Sequence, residues 1–583
     1  MKKTLFALLF AAAAFGGAPA TIFAAPVTTL SVAPRLDTVD DLIDQGRAKL
    51  SAGEFQAAKE LFDRAAKKDK SSLRTTVWQL RVAMQIEPMN DVLGRIDTLA
   101  RDNQGAPINY LYGMAFAVKA QQALDAGLND GTIGMQMTDS QTYLSQALEY
   151  DGERFSDAYP VLARVAWMNG DLDAAIAAAD KAIGYYPTSL SSWSQRGRIQ
   201  FDRYMGLRED ESQAKAAKGM LEDAIACHEK ALELAGDKAD DGKASLRART
   251  LQQLGNCHAW AGDMGPAAKA YAGAMGWDPS VLDFGQLWTT LGGNFVATLD
   301  DGEKQFVKRW GERTQSDATL LWYLGYARYM ANMDKEFNEA AYSEFEKAET
   351  ELLAAVKKWP AYTNSLWYVG LARYGRGDFV GAAESIVDFW NRDANGTVAL
   401  IAADADRAVP RVEYIIGQCV GEGRLLEAAT LSEVLAEAVP PGGLNWSYKA
   451  LFLRDYADNL VRRNAKKADD PEVLAFYEES VSAYERALEL EPGNPNFMND
   501  LAVVLHYNLH REYDRCLELY DAAHARAQEM MDDPDVDEQR KVDFISIALR
   551  DSTNNAGVLR KQLAKEKKKR EEAERKKKEE AGN

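Results

Sequence analysis

The chain lacks most of what an enzyme, a membrane protein or a disulfide-built secreted module needs. Four cysteines in 583 residues are too few for the dense framework that holds small extracellular domains together. Past its first residues no segment offers the roughly 20 consecutive apolar residues that span a bilayer. There is no Gly-x4-Gly-Lys-Ser/Thr phosphate loop, no His-Glu-x2-His, no Gly-x-Ser-x-Gly elbow and no Cys-x2-Cys-His haem site. Catalysis and a bound cofactor are therefore not expected. Positive charge is also short: 69 Lys and Arg against 88 Asp and Glu leave a net charge of −19, which argues against nucleic acid as a partner.

What is present begins with an export signal. Lys2 and Lys3 precede an apolar run from Leu5 to Phe15, and Ala18-Pro19-Ala20 supplies small residues for cleavage, with Ala24 as a second candidate. Residues 1–20 read as a signal peptide. No cysteine lies near either cleavage site, so a lipoprotein anchor is not expected. The Met-Lys-Lys start reads as bacterial, and the mature chain is expected in the periplasm or outside. Residues 21–38 carry no helical period and read as a leader.

The body of the chain is repetitive. Leu251, Leu254 and Gly255 are followed by Gly262, then Ala267, Tyr271, Ala274 and Pro279. This spacing resembles the tetratricopeptide repeat: a Leu-Gly pair on one helix, Ala-x3-aromatic on the next, and a closing proline. The same grammar recurs with Gly46, Ala58 and Phe62, with Tyr112-Gly113, and with Tyr159, Leu162, Ala175 and Pro187. Further copies carry Trp193 and Gly197, Ile416-Gly417, Trp446 and Ala450, and Leu501-Ala502. Polar stretches from Asp125 to Asp139 and from Glu209 to Lys218 read as loop insertions, and Trp288-x2-Leu291-Gly292-x2-Phe295 reads as a complete first helix.

The resemblance implies an all-α fold, a right-handed α-solenoid of stacked helix-turn-helix repeats, because one hairpin cannot bury its apolar face alone. Two arrays are expected, at 39–281 and 282–530, followed by capping helices over 531–560 that carry Val542, Phe544, Ile545, Ile547 and Leu549. It also implies a scaffold, expected as a monomer, that binds a peptide or partner protein on a concave surface lined by the first helices.

Two copies are close relatives. Leu321-Trp-Tyr-Leu-Gly-Tyr-Ala-Arg-Tyr329 and Leu366-Trp-Tyr-Val-Gly-Leu-Ala-Arg-Tyr374 open successive hairpins, with Arg328 and Arg373 where the pattern prefers tyrosine. Trp322, Tyr326 and Tyr329 fall at i, i+4 and i+7 on one helix face, and Trp367, Leu371 and Tyr374 repeat the pattern. The resemblance places these six on the concave face, and Tyr414 on the following first helix extends the stripe. Trp and Tyr are favoured binding anchors. The competing reading is burial, by repeat packing or by the inserted loop Met333–Glu339. An aromatic groove also fits a carbohydrate or cell-wall-glycan ligand, since rings stack on sugars.

Smaller constellations point away from metal. Cys227-His228 and Cys257-His258 provide a zinc ligand count, but neighbours on a helix point about 100° apart and the two histidines stand at core-filling aromatic positions. Core substitution is the reading, with a Cys227–Cys257 disulfide left open. His506 and His510 stand one turn apart with Cys516 and His524 beyond, yet no carboxylate is placed as a base, and no metal site is assigned. The tail from Lys561 contains ten Lys/Arg and six Glu, a net of +4. Glu566–Arg570, Glu571–Arg575, Glu572–Lys576 and Glu574–Lys578 stand four apart with the acid first, the favoured order on a helix. With no apolar face it is expected to project as a solvated helix that frays toward Gly582, able to make a weak, salt-sensitive contact with an anionic membrane surface.

Overall fold

In six of the hairpins one helix leaves out a side chain where its partner is large. At Gly255 an added Cβ would stand 2.6 Å from the Tyr271 ring, at Gly113 2.6 Å from Leu144 and at Gly197 2.8 Å from His228. Gly46 faces Phe62 in the same way, and Gly325 and Gly370 repeat the arrangement against Leu352 and Ile386. The missing methylene lets the backbones approach while the facing side chain fills the gap, which keeps the core at its normal density.

A computed structural model of the chain describes residues 38–581 apart from 71, 129–130, 239–241, 313, 440–441 and 464. The expected signal peptide, the leader up to residue 37 and Gly582 lie outside the described residues. Among the described residues every regular element is a helix. Two compact units divide between Asp317 and Ala318.

The first unit holds α1 (Val39–Ser51), α2 (Phe55–Lys68), α3 (Leu73–Ile86), α4 (Met89–Ala100), α5 (Ala106–Asp125), α6 (Gly131–Asp151) and α7 (Tyr159–Met168). It continues with α8 (Leu172–Tyr185), α9 (Leu190–Leu207), α10 (Ala214–Ala235), α11 (Ala244–Ala261), α12 (Met264–Trp277), α13 (Phe284–Leu291) and α14 (Phe295–Trp310). The second unit opens inside α15 (Thr314–Asn332) and runs through α16 (Tyr342–Lys358), α17 (Ser365–Gly375), α18 (Phe379–Arg392), α19 (Ala394–Ala403), α20 (Ala405–Gly421) and α21 (Leu425–Ala438). Then follow α22 (Gly443–Arg462), α23 (Pro471–Leu490), α24 (Pro495–Val503), α25 (Tyr513–Asp532) and a C-terminal helix, Ser546–Ala581. Within each unit helices pack in consecutive pairs, such as α5 on α6 and α22 on α23, and successive pairs pack on one another. The fold is an all-α solenoid of stacked hairpins.

Local chemistry sets the helix starts. Thr38 accepts the Asp41 N–H at 3.1 Å while the Asp41 carboxylate accepts the Thr38 N–H at 2.9 Å, a reciprocal cap worth about 1 kcal/mol. Asp171 and Asp378 cap α8 and α18 through the N–H groups of Ala174 and Gly381.

Several sequence expectations need correction. The stretch 125–139 is not one loop: α6 starts at Gly131, because Ile133 and Met137 are buried against Ala117, Ala120 and Val165. Likewise α10 begins at Ala214 and buries Ala217, so the insertion there is short. The first helix expected through Trp288 and Phe295 breaks at Gly292, where φ is +51°, a conformation glycine takes without steric cost. The resulting α14 packs on α12 with Gly302 beneath Met275, so the first unit runs past residue 281. Gly417 is not a close-approach glycine; an added Cβ there meets nothing within 4 Å. Of the expected capping side chains, Ile545 is buried and Leu549 partly so, whereas Val542, Phe544 and Ile547 are exposed.

The arginines that replace tyrosine act as ties between helices. Arg328 Nε donates to Glu351 at 2.8 Å and its Nη1 to Glu344 at 3.1 Å, joining α15 to α16. Arg373 reaches Glu349 at 2.8 Å and Ser385 Oγ at 3.0 Å, joining α17 to α16 and α18.

These contacts give a test of the close-approach rule. At Gly325 a Cβ would stand 2.9 Å from the Ala348 carbonyl oxygen and 2.6 Å from Leu352 Cγ. A backbone atom cannot rotate aside, so Gly325→Ala is expected to destabilise the protein by about 2 kcal/mol net, overpacking outweighing the helix-propensity gain. Gly417→Ala is expected to stabilise by about 0.5–1 kcal/mol. Urea unfolding of both variants decides; equal, favourable effects would refute the rule.

Candidate functional site

The two related segments lie on α15 and α17 and bring their aromatic residues into one cluster. Trp322 stacks on Tyr326 with centroids 5.1 Å apart and planes 10° from parallel. Its indole N–H donates to Asn364 Oδ1 at 3.0 Å. Tyr368, from the second copy, stands edge-on to Tyr326 at 4.8 Å and to Trp322 at 6.3 Å. Tyr323 and Tyr362 close on Trp322 at 4.9 and 6.4 Å. Burial pushes the Tyr326 hydroxyl up to about 12. The rings use their faces largely on one another.

The expected stripe is therefore not an open row of six. Trp322 and Tyr326 are partly exposed, but Tyr329, Trp367, Leu371 and Tyr374 are buried. Those four share a core with Ile401, Ala408 and Val412 of α19 and α20. Helical phase alone could not show what packs next to them, α19 and α20 among it. Tyr414 is 48% exposed, with its ring against Phe379 at 5.1 Å and Tyr374 at 6.2 Å.

The loop Met333–Ala341 takes part in this burial. In the second copy the hairpin turn is only Arg376–Asp378, with Gly377 at φ +81°. In the first copy the longer loop crosses to the next two hairpins. The Phe337 N–H donates to the Gly375 carbonyl at 2.7 Å, and its ring meets Tyr374 at 5.1 Å and Phe379 at 6.0 Å. The Glu336 carboxylate lies 2.7 Å from Arg411 Nη2 on α20. Burial pushes the Glu336 carboxyl above its ordinary value although Arg411 pulls it down. Phe337, Phe379 and Arg411 did not stand out in the sequence. The usable signal was the length difference between two turns that follow near-identical helices.

The cysteine and histidine constellations are dispersed. His228 is buried beneath Gly197 as a core-filling ring, but His258 is only partly buried, and the ring against Gly255 belongs to Tyr271. His258 is thus not a core substitute. Cys227 and Cys257 are free thiols; burial pushes both up, Cys257 to about 12. Arg196 Nη1 donates to Cys227 Sγ at 3.0 Å. These two residues line a depression of about 390 Å³ with Asp180, Trp193, Asp223 and Lys230. Asp180 is itself paired with Arg196 at 2.6 Å.

His506 is buried near the Tyr520 hydroxyl at 3.3 Å, while His510 has left the helix with φ +50° and His524 meets Thr553 Oγ1 at 2.9 Å. The helical i, i+4 chelate is therefore not formed. Among the described residues no three His, Cys, Asp or Glu side chains are grouped to hold a metal ion, and no helix is long and apolar enough to cross a membrane. The charged tail is helical through Ala581, with Lys568 and Glu572 4.0 Å apart.

Comparison with known proteins adds the following. Residues 136–189 match the model of a tetratricopeptide repeat family. No curated protein matches the chain in sequence. Among solved structures, a human IFIT1 dimer with m7Gppp-AAAA is similar at 16% identity, covering 62% of this chain and 73% of that one, with a TM-score of 0.31. YrrB, described as a TPR protein with an unusual peptide-binding site, is similar at 14% identity over 44% of this chain and 96% of its own, with a TM-score of 0.22. The TPR2AB domain of yeast Sti1 in complex with pHSP90 is similar at 12% identity over 62% and 99%, with a TM-score of 0.23. At such scores these likenesses carry no argument about what this chain binds.

Proposed function

We propose, from the premise that the chain is a tetratricopeptide-repeat protein, that it is an exported, non-catalytic scaffold holding a peptide or partner protein on the face of its first helices. The observation that carries this reading is the aromatic surface left on those helices in the second unit: Trp322, Tyr323 and Tyr326 on α15, partly exposed, and Tyr414 on α20, exposed. Tyrosine and tryptophan at such places give large contact area at low entropic cost and dominate binding hot spots. The described residues form stacked hairpins.

A glycan platform is the weaker reading. Sugar stacking needs a free ring face, and Trp322 has Tyr326 stacked on it with Tyr362, Tyr323 and Tyr368 around its plane. The export half rests on the signal-like segment 1–20, and the N-terminal sequence of the purified native protein tests it: a start at residue 21 or 25 supports export, an intact Met1 removes it. The net positive tail would add a weak contact with anionic lipid. Vesicle sedimentation of the chain with and without residues 561–583 tests this, and binding that ignores both salt and the tail would dismiss it.

The main test is a pull-down from periplasmic extract with the mature protein, run beside a glycan array. A protein partner should be retained, and Tyr414→Ala with Trp322→Ala should weaken it by roughly 2 kcal/mol or more per hot spot, about 30-fold each. Retention unchanged in the double variant, or glycan binding alone, would contradict the scaffold reading.

A further inference from the structure

Within the second unit, the loop between α15 and α16 is held by contacts of the kind one chain makes with another. Its Glu336 carboxylate faces the Arg411 guanidinium, with Oε1 2.7 Å from Nη2 and Oε2 3.3 Å from Nε. Its Phe337 ring rests on an aromatic floor of Tyr374 and Phe379, with Tyr414 alongside. Its backbone donates one hydrogen bond, from the Phe337 N–H to Gly375 O at 2.7 Å, where the last carbonyls of α17 have no partner within the helix. Met333 Sδ adds a contact with Arg407 at 3.6 Å.

Two features set this segment apart from ordinary core. Phe337 adopts φ +62°, a left-handed conformation that costs a bulky residue steric energy and persists only where surrounding contacts enforce it. The residue is nonetheless 49% exposed, so it lies on the surface of the aromatic floor. The related hairpin α17–α18 closes through Arg376–Asp378 alone, which shows that the repeat does not need the longer loop to fold. Charge pairing, an aromatic seat and a main-chain hydrogen bond together are how a groove reads a short peptide.

We propose that α17, α18 and α20 form a peptide site for an acidic-aromatic pair, Glu-Phe or a close analogue, and that Met333–Ala341 occupies it as an internal ligand. Arg411 takes the carboxylate, Tyr374 and Phe379 seat the ring with Tyr414 packed against both of them, and Gly375 O fixes the backbone. A partner carrying such a pair gains access by displacing the loop, so its apparent affinity is lowered by the fraction of time the loop is in place. This inference rests on the scaffold reading above and names the ligand class for it.

The test uses the full mature chain and a fluorescein-labelled peptide of residues 333–341 as probe, read by anisotropy. A variant carrying Glu336→Ala and Phe337→Gly releases the internal ligand by removing the largely buried carboxylate and the exposed ring. A second variant replaces 333–341 by the Arg-Gly-Asp turn of the following hairpin. Each is expected to bind the peptide at least about tenfold more tightly than the native chain, and adding Arg411→Ala should reverse the gain. As an independent readout, Arg411→Ala in the otherwise native chain should raise hydrogen exchange at the Phe337 amide at least about tenfold, because the latch loosens. Peptide binding equal in native and released chains, or absent from both released variants at about 1 mM peptide, would overturn the proposal. So would unchanged exchange at Phe337. A failed pull-down of a natural partner would instead strike the scaffold reading and leave these intramolecular contacts measurable.

Discussion

Replacing Trp367 by alanine is expected to destabilise the second unit by roughly 3–5 kcal/mol, the usual cost of emptying a buried tryptophan site. Trp367 is buried, in the same core as Ile401, Ala408 and Val412, so no partner could have been its main reason for being there. Tyr414→Ala should behave oppositely, costing at most about 1 kcal/mol of stability, since surface truncations away from buried networks are mild, while removing partner contact. Thermal unfolding of the two variants separates the roles. If Trp367→Ala melted with the native protein, the second copy of the stripe would have to be an open groove after all.

The second large effect is a pH dependence seated at His228. Its ring is fully buried under Gly197 with no hydrogen-bond partner for either nitrogen, and burial pushes its pKa down to about 4, with the nearby Arg198 charge adding to the shift. The unfolded chain, with an ordinary value near 6.5, binds this proton more readily than the folded one. Stability from this site is therefore complete above about pH 6.5 and is lost as pH falls toward 4, by on the order of 3 kcal/mol in total. His228→Phe should fill the same gap, as Phe62 does against Gly46, and remove that part of the slope. Denaturant unfolding at pH 7 and pH 4 for both proteins checks it. Equal acid losses in the two would show that carboxylates alone set the dependence.

The fold was legible because several hairpins repeat a steric necessity: a glycine on one helix and a filler on the next. Gly46–Phe62, Gly113–Leu144 and Gly255–Tyr271 all read directly from spacing. Spacing could not tell a contact glycine from an incidental one. Gly417 satisfies the pattern in sequence and meets nothing in space, while Gly302 satisfies no pattern and sits on Met275. Nor could polarity mark loops reliably, since α6 needs only Ile133 and Met137 as buried apolar anchors near its start.

The site was half legible. Helical phase put Trp322, Tyr326, Trp367 and Tyr374 on matching faces, but exposure depends on what packs next. Here that means α19 and the 333–341 loop, neither of which belongs to the repeat grammar. Arg328 and Arg373 stood out only as departures from tyrosine. Their ties to Glu351, Glu344 and Glu349 follow from long-range register, which a single sequence does not display.

The scaffold reading is tested most directly by hydrogen exchange of the full chain, free and with a protein partner retained in the pull-down. Protection on binding is expected along α15 and α20, around Trp322, Tyr326 and Tyr414, with exchange at 333–341 rising as that loop is displaced. Protection confined to second helices such as α16 and α21, with α15 and α20 unchanged, would contradict it.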